Sequence, residues 1–196
     1  AWPGYAVVIM LGGDQLLLCI MAMIAAVLRW WGRWWEPLNL SAPRLLHVMI
    51  VCAMMLPLSV VSSELYRVLL EGWKPIVEAQ PWLGILDEMN AVEMLAKLAQ
   101  AGSLPIMILI IAGGPALGEE LVFRGVIGRG LVARRGVFWG VLLSSALFAS
   151  AHIHPVHAAA VFPMGIVLHF VYLTTRSFWM PMLLHFLNNA FATIMS

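Results

Sequence analysis

The sequence predicts an all-α fold: a polytopic membrane helical bundle with about six transmembrane helices. Two features of its composition and one of its layout lead there. Of its 196 residues, 62% are hydrophobic and only 11% are charged, where a soluble domain carries about a quarter charged residues. Mean hydropathy is +0.92. The apolar residues fall in runs of about 17 to 23, the length that crosses a bilayer core, so the surplus is membrane rather than an oversized soluble core.

Apolar length and flanking charge mark six spans at 6–28, 45–63, 104–124, 137–153, 158–174 and 178–195. The first connection holds Arg29, Trp30, Trp31, Arg33, Trp34, Trp35 and Arg44, a basic cytoplasmic loop with an aromatic interfacial belt. The second, 66–103, sets Arg67, Lys74 and Lys97 against Glu71, Glu78, Asp87, Glu88 and Glu93. It is net acidic and is expected on the non-cytoplasmic side. Within it Val92, Leu95, Ala96, Leu98 and Ala99 outline an amphipathic helix at the interface or against the bundle. The third connection carries Arg129, Arg134 and Arg135, and the fifth carries Arg176. The fourth, from Ile153 to His157, has no Lys or Arg. Basic and non-basic connections therefore alternate, as six crossings with both ends outside require. The chain divides into 1–103, transmembrane helices with an acidic amphipathic segment, and 104–196, where the chemistry gathers.

Other classes fall away on composition. A net charge of +1 gives no basic field for nucleic acid. Cys19 and Cys52 each sit in an apolar run, without metal-ligand spacing or the look of a disulfide framework. The chain starts Ala1-Trp2-Pro3 without an initiator Met, as a fragment or processed form does. Its first apolar run is too long, and lacks preceding basic residues, for a cleavable signal peptide.

Ionisable groups inside bilayer spans are costly, so each is a functional hypothesis until a structural partner is found. The first cluster is Gly118-Glu119-Glu120-Leu121-Val122-Phe123-Arg124. Glu120 and Arg124 are four apart and can pair across one helical turn. Glu119, rotated by about 100°, is left without that partner. Two adjacent carboxylates in unequal surroundings can differ in proton affinity, which suits a general base. The second cluster is Phe148-Ala149-Ser150-Ala151-His152, and the third is His185-Phe186-Leu187-Asn188-Asn189. Phe148 with His152, and His185 with Asn189, share a helix face at a spacing of four. A carboxylate and an imidazole can activate water, while a second imidazole and an amide can donate hydrogen bonds to an oxyanion. No serine or cysteine occupies an evident nucleophile position, which leaves water as the nucleophile.

Glu119-Glu120-x-x-x-Arg124, then Phe148-x-x-x-His152, then His185-x-x-x-Asn189 resembles the motif set of the CPBP family. These are the CAAX proteases and bacteriocin-processing enzymes, also called the ABI family. The resemblance spans residues 104–196 and extends to Ser144 and Ser145 before Phe148 and to the run from Leu183 to Asn189. It implies an intramembrane endopeptidase in which Glu119 and His152 activate water. His185 and Asn189 would then stabilise the tetrahedral intermediate, with Glu120 and Arg124 supporting the site. It implies a membrane-anchored or membrane-associated protein substrate and a multi-pass location in a bacterial inner membrane. Metal dependence stays open between no cofactor and one divalent metal such as zinc, held if present by Glu119, His152 and His185. Metal-free activation is placed slightly ahead.

Plainer readings stand beside these. Glu120 and Arg124 can be a structural ion pair, and Glu119 a carboxylate at an interfacial helix end. His169 reads as a hydrogen-bonded packing residue, and His154 and His157, flanking Pro155, as solvated turn residues. His47 reads as an interfacial residue near Arg44, and Asp14 and Gln15 as capping or packed polar contacts. As a whole, the chain can also be a non-catalytic binding or immunity scaffold of the same fold, or a small transporter, for which Gly113-Gly114-Pro115 gives slight support.

Overall fold

The computed structural model describes residues 4–30, 38–92, 95–96 and 103–195. Among these residues the chain is helical and contains no strand. Helix α1 spans Gly4–Trp30 and α2 spans Leu45–Ala79, followed by a 3-10 helix at Pro81–Met89. A long helical stretch comprises α3 (Leu104–Met107), a π-segment (Ile108–Gly113), α4 (Gly114–Glu120), a second π-segment (Leu121–Gly128) and α5 (Arg129–Ser150). Helices α6 (Pro155–Thr175) and α7 (Trp179–Met195) complete the chain.

Four helical stretches are long and apolar enough to cross a membrane: Gly12–Arg29, Leu45–Ala79, Leu104–Ser150 and Pro155–Thr175. The third is in fact two. Gly136 adopts φ 77, ψ 171 inside it, a conformation that only glycine enters freely. A Cβ at Gly140 would stand 2.5 Å from the Cα of Val132. Eight residues along a straight helix would separate them by about 12 Å, so the chain doubles back at Gly136 into a helical hairpin. With α7, 17 residues long, the count of about six segments holds. Leu17, Met21, Leu28, Leu45, Leu109 and Phe138 are each more than half exposed, which in water would be an aggregating surface and in lipid is the expected one. The chain is an integral membrane protein.

Two connections differ from the sequence reading. The basic stretch around Arg129, Arg134 and Arg135 is helix almost to its end, and the turn is Gly136 alone. Helix α2 runs 16 residues past the expected span end at 63, through Pro75. Its 35 residues measure about 50 Å, well beyond a 30 Å hydrocarbon core. The far end carries an exposed Arg67 bridged to Glu64 (2.8 Å) and Glu71 (3.2 Å). The basic aromatic loop at 31–37 and most of the amphipathic segment at 93–102 lie outside the described residues.

Packing brings the motif helices together. Gly114 and Gly118 sit against α1, where added Cβ atoms would meet Gln15 at 3.1 Å and Cys19 at 3.2 Å. Small residues four apart let helix backbones approach closely in a membrane, where no hydrophobic effect drives them together. Gly165 of α6 lies as close to Phe148 and Ser145 of α5, at 3.1 Å. Between α2, α6 and α7 an apolar core forms from Val51, Met164, Leu168, Val171, Met180 and Leu184.

Candidate active site

The centre of the bundle holds a buried ionic cluster. Glu120, wholly buried at the end of α4, accepts a hydrogen bond from Arg124 Nη1 at 2.7 Å. This is the pairing expected from their spacing, made one turn into the second π-segment. Arg124 Nη2 donates to the carbonyl of Gly165 at 3.0 Å, and its guanidinium lies 4.6 Å from the ring centre of Phe148. A lone buried charge would be very costly, whereas here the guanidinium has a carboxylate, a carbonyl and an aromatic face.

His185 of α7 enters the same cluster. Its Nδ1 is 2.8 Å from Glu120 Oε1. An ionised carboxylate only accepts, so Nδ1 carries the hydrogen and the tautomer is assigned by this partner. The other ring nitrogen, Nε2, faces Glu119 Oε2 at 3.9 Å. That Glu119 oxygen has no hydrogen-bond partner among the described residues. Glu119 is thus the carboxylate that Arg124 does not bind, in line with its rotation away from that residue.

His152 ends the neighbouring motif. Its Nδ1 lies 3.0 Å from the carbonyl of Phe148, which again requires the hydrogen on Nδ1 and leaves a lone pair on Nε2. The Phe148 ring stands edge-on to both histidines, with centroids 5.1 Å from His152 and 5.9 Å from His185. The apolar residue of the motif is therefore the spacer that sets the two imidazoles apart.

The two adjacent asparagines take different places. Asn188 is buried, accepts a hydrogen bond from Ser59 of α2 at 2.8 Å and so ties α7 to α2. Asn189 is half-buried, and its Oδ1 is 3.5 Å from Asn188 Nδ2. Asn188 received no role from the motif pattern. A polar side chain four residues before Ala192 in an apolar run, opposite a serine in another, was the available signal.

Three histidines depart from expectation. His154 and His157 are not solvated turn residues: His154 is fully buried and His157 half-buried. The cause is the extension of α2 and the 3-10 helix, which pack against His154 and His157. His154 Nε2 lies 3.2 Å from Asp87 Oδ1, and His157 packs edge-on to His152 at 4.5 Å. His169 is buried, but neither of its ring nitrogens has a hydrogen-bond partner among the described residues. Gln15 packs its side-chain methylenes against Gly114, and its Oε1 is buried with no hydrogen-bond partner among the described residues. His47 lines an apolar groove of about 450 Å³ with Val51, Met54, Val167, Phe170 and Val171, and no site residue reaches it.

A divalent metal held by Glu119, His152 and His185 would need all three donors about 2 Å from one point. No group of three or more His, Cys, Asp or Glu side chains among the described residues is gathered that closely. The residues do not fit a metal in the arrangement seen.

Fold and site together define a class: a helical membrane protein with a buried carboxylate, guanidinium and imidazole centre and a second carboxylate beside it. Residues 101–191 match the family model described as type II CAAX prenyl endopeptidase Rce1-like. A Bacillus subtilis (strain 168) protein named "Putative membrane peptidase YdiL" is 32% identical over 113 residues. That alignment covers 57% of this chain and 45% of the relative, so the chain spans less than half the relative's length. No solved structure matches. The motif-bearing half of the chain is thus similar to the Rce1-like family, and the chain to a protein named as a membrane peptidase.

Proposed function

We propose that this protein is an intramembrane endopeptidase that hydrolyses a peptide bond of a membrane-associated protein substrate. The observation that carries the reading is the orientation of His185. Glu120 holds its Nδ1 at 2.8 Å, and its Nε2 is thereby turned toward the unpartnered Glu119 carboxylate at 3.9 Å. A base and a hydrogen-bonding imidazole then flank one small volume, which is the geometry that water activation at a carbonyl needs.

In this reading Glu119 takes a proton from water as the water oxygen bonds to the scissile carbonyl carbon. The Nε2 lone pair of His152 accepts the water's other hydrogen and orients it. The carbonyl oxygen becomes an oxyanion, which accepts hydrogen bonds from His185 and from the Asn189 amide. For His185 to donate from Nε2 while Nδ1 donates to Glu120, both nitrogens must carry hydrogen. When the carbon–nitrogen bond breaks, Glu119 returns its proton to the leaving amine. Arg124 holds Glu120 in place through their 2.7 Å contact. No step passes through a metal. The substrate is a membrane-anchored or membrane-associated protein, met within the bilayer of a bacterial inner membrane.

The test is mass spectrometry of membrane proteins from cells carrying the wild type or Glu119→Gln. A new protein terminus present only with the wild type is expected. Identical termini in both, with both proteins folded and inserted, would overturn the reading.

A further inference from the structure

The turn that follows His152 is short and strained. Between α5 and α6 the chain reverses over residues 151–154. Ile153 adopts φ 58, the left-handed region in which a β-branched side chain is sterically disfavoured. The amide of His154 closes onto the carbonyl of His152 at 2.6 Å. Backbone in such a conformation persists only where its surroundings over-determine it. Toward α5, His152 is held by the Phe148 carbonyl. On the far side the hold comes from His154.

His154 is sealed from solvent, and its partners lie in the other half of the chain. Its Nε2 is 3.2 Å from Asp87 Oδ1, and Trp73 Nε1 donates to that same oxygen at 2.7 Å. The Trp73 ring stands edge-on to His154 with centroids 5.9 Å apart. Beside this contact Tyr66 meets His157 edge-on at 6.2 Å, and its hydroxyl accepts a hydrogen bond from Asn90 at 2.8 Å. Tyr66 and Trp73 lie on the overlong end of α2, Asp87 on the 3-10 helix and Asn90 just after it. These residues embrace the turn, and none of them belongs to the motif-bearing half.

We infer that Asp87 is a positioning residue: through its hydrogen bond with His154 it holds the 151–154 turn in its strained form and so fixes the His152 ring. The inference rests on the reading of His152 as part of the water-activating site. Asp87 is itself aimed by Trp73, so its oxygen meets His154 from a set direction. The acidic segment at 66–92 then has a defined task, as the wall that keeps a catalytic histidine in register.

The experiment measures hydrogen exchange over residues 147–158, together with kcat and KM for a cleaved substrate, on the full chain in lipid nanodiscs. The variants are Asp87→Ala, Asp87→Asn, Asp87→Ala combined with Ile153→Gly, and Glu119→Gln. Asp87→Ala should deprotect the 151–158 amides and lower kcat by about 10-fold to 100-fold, with KM within about two-fold, because small misplacements of a catalytic group cost that much. Asp87→Asn keeps an oxygen for both donors and should retain most of the rate. Ile153→Gly should restore kcat to the Asp87→Ala protein, since glycine takes a positive φ without penalty. A merely structural role for Asp87 predicts the reverse, with Ile153→Gly deepening the loss. That outcome, or wild-type exchange protection in Asp87→Ala, overturns the inference. Glu119→Gln should leave exchange untouched while abolishing turnover. If Asp87→Ala deprotects the turn but even the wild type cleaves nothing, the hold on the turn stands and the peptidase reading falls.

Discussion

His185 and Glu120 come from helices 65 residues apart in sequence and meet at 2.8 Å, Nδ1 to Oε1. The contact matters to the proposed mechanism, because a histidine with Nδ1 committed leaves only Nε2 to meet a substrate. Glu120 is wholly buried and Arg124 nearly so, and the same Oε1 serves both donors. Glu120→Ala should therefore destabilise the protein by about 3–5 kcal/mol, since it strands a buried guanidinium. Glu120→Gln should fold better but lose about 10-fold to 100-fold in turnover, the usual effect of removing a residue that orients a catalytic ligand. Thermal melting in detergent and a cleavage assay separate the two effects. Full activity in Glu120→Gln would show that His185 needs no anionic partner.

The adjacent asparagines should behave differently. Asn188→Ala removes the acceptor for Ser59 and leaves a buried hydroxyl unpaired, at a cost of about 1–3 kcal/mol in stability. Its kcat per folded molecule should change little. Asn189→Ala should melt like the wild type but lose about 100-fold or more in kcat if its amide serves the oxyanion. The comparison is made on one preparation, by melting temperature and by kcat, and an exchange of the two phenotypes would move the oxyanion role to Asn188.

Chelation tests the route without a metal. Wild-type protein treated with a strong chelator and then freed of it should cleave at its original rate. A loss of activity that returns on adding zinc would instead make Glu119, His152 and His185 ligands, and would require them to close up from the positions described.

The Asp87 carboxyl titrates below the usual carboxylate range, first because Trp73 donates a hydrogen bond to it and second because His154 does. A depressed folded-state value means the contact stabilises the fold above the ordinary carboxylate pKa of about 3.9, and is lost only as pH falls through the lowered value. Exchange protection of residues 151–158, corrected for intrinsic rates, should thus be the same at about pH 7 and pH 5 and decline only in stronger acid. A decline already complete by about pH 5.5 would assign the hold to a group other than Asp87.

The sequence by itself determined the membrane character, the count of about six crossings and the three motif positions. These follow from local chemistry: apolar runs have a length set by the bilayer, and polar side chains at a spacing of four share a helix face. Even the Glu120–Arg124 pair was legible, being a contact within one turn. What only the tertiary structure decided is what surrounds each histidine. Glu120 meets His185 because α4 and α7 pack together, and no local pattern encodes that distance. The helical hairpin hides in a single glycine, since the arginines before Gly136 read equally well as loop or helix. The turn after His152 looked solvated because its composition is that of a loop. His154 within it is buried because α2 continues past its membrane length and the 3-10 helix packs against that histidine, a contact between residues 87 and 154 that depends on where two distant backbones run.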